Sequence, residues 1–161
     1  MAKRFQDQVA WITGGGSGIG RELALAFAEE GATVALSGRR QERLELVAAE
    51  IEGNGGKAFI VPCDVTDEAS VEGAVQQVVE TLGRLDVAVA NAGVSVVGEI
   101  AKLSAADWRR QLDVNVVGLA ITARYAIPHL ERHAGRLVLI GSAAGMIAVP
   151  EMGAYCASKY A

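Results

Sequence analysis

A chain of 161 residues, 51% hydrophobic and 21% charged, carries enough apolar material for one domain with a core that needs no staples. Its formal net charge of −4 leaves no basic footprint for nucleic acid or an anionic membrane surface. Cys63 and Cys156 lie far apart and match no metal-ligand spacing, no apolar run reaches the length of a membrane span, and Met1–Asp7 lacks the apolar core of a signal peptide, so a cytoplasmic, reducing location is expected.

Val9-Ala10-Trp11-Ile12 is a short apolar run of the kind that makes a buried parallel strand. Thr13-Gly14-Gly15-Gly16-Ser17-Gly18-Ile19-Gly20 follows, and then Arg21–Ala28, a good helix former that stops at Gly31. A glycine-rich stretch alone is compatible with a plain turn. Between a strand and a helix it points to nucleotide binding, because glycines let backbone N–H groups approach a pyrophosphate while the helix N-terminus faces its charge.

Thr33–Ser37 is the second strand, and Gln41–Glu52 a helix with Leu44, Val47, Ala48 and Ile51 on one face. After the turn Gly53–Gly56 comes a third strand, Ala58–Val61, leading to Cys63-Asp64-Val65. Thr66 is expected to cap the next helix, with Asp67 and Glu68 in its first turn, Val71, Val75, Val78 and Leu82 as its buried stripe, and Gly83 at its end. Leu85–Ala90 is the fourth strand, with Asn91-Ala92-Gly93 at its end. Ser104-Ala105-Ala106-Asp107 reads as a capping box opening a long helical region to about His133, bent near Asp113–Asn115 and stopped by Gly135. Arg136–Ile140 is the fifth strand, Gly141–Gly145 a loop, and a last helix begins near Gly153 or Ala154. Alternating strands and helices predict one α/β domain over residues 1–161, built on a parallel sheet.

In such a sheet, ligands bind beyond the C-terminal strand ends, and small or polar residues recur at all five of them here. Tyr155 and Lys159 form an i, i+4 pair that shares one helical face. A tyrosine is a poor base at neutral pH, but a neighbouring ammonium favours the phenolate, so the pair suits proton exchange with an alcohol or carbonyl. Alone, such a pair is more often a solvated helix face, and a loop serine such as Ser142 an ordinary turn residue. His129 and His133 have a spacing that a helix can use for metal, but no third ligand is evident, so no metal is expected.

The spacing Thr13-Gly14-x-x-x-Gly18-Ile19-Gly20, with Asp64, Asn91-Ala92-Gly93, Asn115, Ser142 and Tyr155-x-x-x-Lys159 in order behind it, resembles the short-chain dehydrogenase/reductase family over essentially the whole chain. The resemblance implies a Rossmann-type doubly wound parallel sheet. It also implies an NAD(P)(H)-dependent oxidoreductase that interconverts a secondary alcohol and a ketone, with a small-molecule carbonyl or alcohol substrate and no nucleic-acid or membrane partner. Under it Tyr155 is the acid/base, Ser142 polarises the carbonyl, Lys159 tunes Tyr155 and holds the nicotinamide ribose, and Asn115 positions a water behind Lys159. Thr13, Gly14, Gly16, Ser17, Gly18, Ile19 and Gly20 bind the cofactor, with Gly14, Gly18 and Gly20 lining its pyrophosphate, and Tyr155 and Lys159 also contact it. Asp64 and Val65 contact the adenine, and Asn91, Ala92 and Gly93 support the pocket. Family members continue past this lysine, so the sheet is expected to be incomplete at its C-terminal end. A homo-oligomer is expected of the full-length enzyme, and a cofactor-binding fragment without catalysis is the rival reading. A sugar-nucleotide epimerase or dehydratase relative shares the Tyr-x-x-x-Lys pair but not the glycine spacing or the Asn91-Ala92-Gly93 triplet.

Ser37-Gly38-Arg39-Arg40 closes the second strand, with glycine where NAD enzymes of this fold place a ribose-binding acid. Arg39 is suited to charge-assisted contacts with a 2′-phosphate, so NADP(H) is favoured over NAD(H), although no basic residue stands in the glycine loop beside Ser17.

Overall fold

The structure, a computed structural model, describes residues 3–161. Strands β1 (Val9–Thr13), β2 (Thr33–Ser37), β3 (Lys57–Ile60), β4 (Val87–Ala90) and β5 (Arg136–Leu139) form one parallel sheet in the order β3-β2-β1-β4-β5. Every residue of β1 and β4 is buried, which explains their unbroken apolar sequences: helices cover both faces. Successive side chains point to opposite faces, so Ala10, Ile12, Val34 and Leu36 meet Ala24 and Ala28 of α1 (Gly18–Glu29) and Leu44, Val47 and Ile51 of α2 (Gln41–Gly53). Trp11, Ala35 and Ala88 face the other way, toward Val71, Val75 and Val78 of α3 (Glu68–Leu82) and Ala126 and Leu130 of α5 (Gly118–Glu131). The fully buried Trp11 indole does not waste its donor: Nε1 donates to Ser37 Oγ at 2.8 Å, and that hydroxyl donates to the Val61 carbonyl at 2.6 Å.

At the opposite end of the sheet Asp86 ties β4 to β1. Its carboxylate accepts from the Val9 N–H at 2.8 Å and from Arg84 at 2.8 and 2.7 Å. Burial works against the charged form of Asp86, but these bonds outweigh it and hold the carboxyl below its ordinary range.

Several helix ends differ from expectation for local reasons. Asp67, not Thr66, caps α3, accepting from the Ala69 and Ser70 N–H groups at 3.0 and 3.4 Å, because a carboxylate suits the positive end of a helix better than a hydroxyl. Thr66 instead bonds Asp64 through both its N–H and its hydroxyl. The Ser104–Asp107 capping box forms at the start of α4 (Ala105–Leu112). The expected bend is a π-helical turn, Asp113–Val117, which carries the chain from α4 into α5 without a break. Gly135 is not the helix stop: Ala134 takes the left-handed conformation (φ 47°), while Gly135 is needed for room, since a Cβ there would lie 2.7 Å from the Asp86 carbonyl oxygen. The last helix, α6, runs from Gly153 to Tyr160.

Candidate active site

From β1 the chain moves outward through β2 and β3, then returns to the other side of β1 at β4, so the C-terminal ends of β1 and β4 diverge. There a cleft of ≈ 480 Å³ opens. Gly14, Gly16, Ser17 and Ile19 line it from the glycine turn, Arg39 from β2, and Asp64 and Val65 from the exit of β3. Asn91, Ala92 and Gly93 line it from the exit of β4, and Tyr155 and Lys159 from α6. Thr13, Gly18, Gly20, Asn115 and Ser142 do not line it; their bonds and packing lie beneath or beside it.

The glycine turn is a close-packed piece of backbone. Gly14 has φ 68°, and a Cβ there would sit 2.9 Å from Asn91 Nδ2 and 3.0 Å from Ala92 Cα. A Cβ on Gly20 would overlap the Gly14 carbonyl oxygen, so Gly20 is needed for α1 to dock under the turn. Gly18 is required for its φ of 52°, since nothing lies within 4 Å of where its Cβ would be. Thr13 is buried, its hydroxyl donating to the Val89 carbonyl at 3.3 Å and accepting from the Asn91 and Ala92 N–H groups at 3.1 and 3.3 Å. Asn91 returns the bond, its Nδ2 donating to the Thr13 carbonyl at 2.9 Å and the Gly14 carbonyl at 3.3 Å. Thr13 and Asn91 therefore hold the two diverging strand ends at a set distance.

At the start of α1 the N-cap side chain is unused, as it is at the starts of α2 and α6. The side chains of Asp67 and Ser104 cap α3 and α4, whereas Ser17 makes no side-chain cap bond, leaving the first N–H groups of α1 to an incoming acceptor. Arg39, Arg40 and Arg43 all line the β2 side of the cleft and take part in no ion pair among the described residues. Arg40 is the N-cap of α2 and makes no cap bond either. Cations at the positive end of a helix are unfavourable, so an anion bound beside this cluster would be favourable. Burial disfavours the charged form of Asp64, but its bonds from Thr66 and the nearby Arg39 win and keep its carboxyl below the usual range. Burial pushes the Cys63 thiol up to about 11, so this cleft-lining group stays protonated and unreactive.

On the other side of the cleft, Lys159 Nζ donates to the Ile140 carbonyl at 3.0 Å and lies 6.0 Å from the Tyr155 ring centroid. Ser142 starts a short 3-10 turn, Ala143–Gly145; its Oγ accepts from the Ala144 N–H at 3.2 Å, which leaves the hydroxyl proton free to donate. That turn packs on the end of α6, where a Cβ on Gly145 would come within 2.9 Å of the Lys159 carbonyl carbon. The Ser142 loop and the Tyr155–Lys159 pair are thus held to one helix. Asn115 is buried behind them. Its Oδ1 accepts from the Val94 N–H at 2.8 Å, and its Nδ2 donates to the Val94 carbonyl and to Ser158 Oγ, both at 2.9 Å, so both donors of the side chain are spent on protein. Ser158 in turn donates to the Tyr155 carbonyl at 2.7 Å. Sequence reasoning passed over Ser158 and gave a cofactor contact to Arg39 alone among the arginines; Ser158 was visible as a small polar residue one turn from Tyr155. Among the described residues no three His, Cys, Asp or Glu side chains gather as metal ligands, and no helix is long and apolar enough to cross a membrane.

Comparison with known proteins agrees with this geometry. The family model for short chain dehydrogenases matches residues 8–161. The chain is 40% identical over 160 residues to 2-(S)-hydroxypropyl-CoM dehydrogenase 3 of Xanthobacter autotrophicus, covering 99% of this chain and 63% of that protein. It superposes with a TM-score of 0.93 on a short chain dehydrogenase/reductase from Burkholderia phymatum in complex with NAD, at 32% identity, covering 99% of this chain and 57% of the other. An alcohol dehydrogenase from the archaeon Thermococcus sibiricus, complexed with 5-hydroxy-NADP, matches with a TM-score of 0.91 and 33% identity over 95% of this chain and 66% of its own. The chain spans roughly six tenths of the length of such relatives, 58% to 63% for three of the curated ones. With its parallel sheet, its glycine turn under the β1–β4 divergence and its Tyr155–Lys159 face, the chain belongs to the short chain dehydrogenase family.

Proposed function

We propose that the chain is the cofactor-binding and proton-transferring part of an NAD(P)(H)-dependent oxidoreductase that interconverts a secondary alcohol and a ketone. The observation that carries this reading is the convergence, on one cleft, of an uncapped helix N-terminus behind a glycine turn and a tyrosine–lysine pair. The residues fit a dinucleotide: Gly14 and Gly16 keep the floor free of side chains, the N–H groups at the start of α1 are open to a pyrophosphate, and the arginine cluster answers a further phosphate. When bound, the nicotinamide supplies or accepts the hydride.

The protein's own residues handle the proton. Tyr155 gives its phenolic proton to the carbonyl oxygen in reduction and takes it back in oxidation. Lys159, fixed by the Ile140 carbonyl and 6.0 Å from the Tyr155 ring centroid, would hold the nicotinamide ribose beside the tyrosine. Ser142 donates a hydrogen bond through its free O–H to the same substrate oxygen and stabilises the charge that develops there. Asn115 serves through Ser158 as a brace that sets the height of α6 against the exit of β4. For the cofactor we favour NADP(H), because Arg39, Arg40 and Arg43 line the β2 side of the cleft and form no ion pair among the described residues, so they are available to a 2′-phosphate.

The test is a titration with NADPH and NADH by fluorescence, together with a ketone-reduction assay, on wild type and Tyr155→Phe. The variant is expected to bind cofactor as wild type does and to lose turnover by orders of magnitude. Full turnover in the variant moves the acid/base elsewhere, and cofactor binding without wild-type turnover favours a cofactor-binding role alone.

A further inference from the structure

Helix α4 buries one residue only, and it is a glutamine: Gln111 is fully enclosed. An amide in such a place is costly unless its polar atoms are bonded. Its Oε1 accepts from the Val96 N–H at 3.1 Å, and its Nε2 donates more loosely to the Val96 carbonyl at 3.4 Å. Asn115, one helical turn further on, treats Val94 in the same way, accepting from its N–H and donating to its carbonyl. Each amide presents one donor and one acceptor to a single residue, as a neighbouring strand would. The match has a geometric reason. Four residues of helix rise about 6 Å and two residues of extended chain about 6.6 Å, so side chains at i and i+4 meet alternate residues of a segment running the other way.

The segment held in this way has no sheet to hold it. β4 ends at Ala90, and among the described residues Val94, Ser95, Val96 and Val97 form no backbone-to-backbone hydrogen bond. Val94 and Ser95 line the cleft together with Tyr155 and Lys159. Asn115 is also tied to α6 through Ser158, whereas the Gln111 side chain bonds Val96 alone among the described residues. Whatever Gln111 contributes to the site therefore passes through the backbone of Val96.

We infer that Gln111 is a positioning residue: with Asn115 it takes the place of a strand partner and fixes Val94–Val96 as the wall of the cleft that would hold the nicotinamide end of the cofactor beside Tyr155. The inference rests on the oxidoreductase reading above and adds a residue to that site. The experiment compares wild type with two variants. Gln111→Met keeps the length of the side chain without its hydrogen bonds, and Gln111→Asn keeps an amide that falls one methylene short of Val96. Amide exchange is read by NMR on the chain without nucleotide, NADPH affinity by fluorescence titration, and the hold on the nicotinamide by the fluorescence lifetime of bound NADPH. In both variants the Val96 N–H is expected to exchange about three- to tenfold faster, the worth of one net hydrogen bond. The Val61 N–H, bonded to the Leu36 carbonyl at 2.9 Å, keeps its wild-type rate. NADPH affinity stays within about twofold, because the glycine turn and the arginines share no bond with the Gln111 side chain. The lifetime of bound NADPH moves toward that of the free nucleotide. Wild-type exchange at Val96 overturns the inference, and so does faster exchange there with an unchanged lifetime, which leaves the amide pair a purely structural tie. Equal acceleration at Val61 makes Gln111 a general stability residue and overturns it as well. Failure of wild type to bind NADPH or NADH removes the oxidoreductase reading and the inference with it, and the titration separates that outcome from the others.

Discussion

Gly20→Ala tests how the cofactor turn is held. The new methyl would overlap the Gly14 carbonyl oxygen and lie 2.6 Å from Asn91 Nδ2 and 2.9 Å from the Gly14 carbonyl carbon. Ordinary contacts of this kind are about 3.5–4.0 Å, so the turn or the helix must move by roughly 1 Å. The obstacle is backbone on one side and the Asn91 amide bonded to Thr13 on the other, neither of which yields by a rotamer change. The expected cost is therefore at the upper end of overpacking, about 2–3 kcal/mol. At about 1–3 kcal/mol per molar of urea this is a midpoint shift of roughly 1 M, readable from the buried Trp11. Because the displaced carbonyl belongs to a cleft-lining residue, NADPH affinity is expected to fall by at least about tenfold, a loss of about 1.4 kcal/mol. Gly18→Ala is the control: its methyl meets nothing within 4 Å, and only the φ of 52° counts against it, for about 1–2 kcal/mol. A Gly20→Ala protein with a wild-type urea midpoint and wild-type cofactor affinity would refute the packing argument.

Asp86→Asn is expected to be less stable than wild type at pH 7 by about 1–2 kcal/mol, the margin of a charged over a neutral acceptor for the Val9 and Arg84 donors. Since the folded carboxyl titrates below its ordinary value, that margin is present above the unfolded value of about 3.9 and fades as pH falls through the folded one. Urea midpoints from pH 7 to 3 are expected to converge, and a constant gap would show that the charge of Asp86 is irrelevant. Ser158→Ala strips Asn115 of one acceptor and is expected to lower turnover while leaving NADPH affinity unchanged; equal loss in both would make Ser158 a general stability residue. Arg39→Ala is expected to narrow or reverse the preference for NADP(H). In wild type, added salt should weaken NADP(H) more steeply than NAD(H), because an extra charged contact is screened. An unchanged affinity ratio in the variant would place 2′-phosphate recognition elsewhere.

The order of strands and helices was legible from Val9 to Tyr160, because strands covered on both faces must be apolar throughout and helices must repeat every three to four residues. The glycine turn and the Tyr155–Lys159 pair were equally open to reading, since their chemistry lies within a few residues of chain. What each glycine is for was not. Gly18 answers to its own backbone angle, whereas Gly20 answers to the carbonyl of Gly14 and Gly135 to that of Asp86, a segment distant in sequence. Asn115 shows the same division: only the resemblance singled it out, and that its side-chain donors go to Val94 and to Ser158 is decided by the packing of α6 against the β4 exit. Local backbone preference and hydrophobic period are properties of a short stretch of sequence, and they determined the elements and the motifs. Which polar atom is already satisfied, and which glycine is short of room, depends on segments brought together by the fold, so only the tertiary structure decided them.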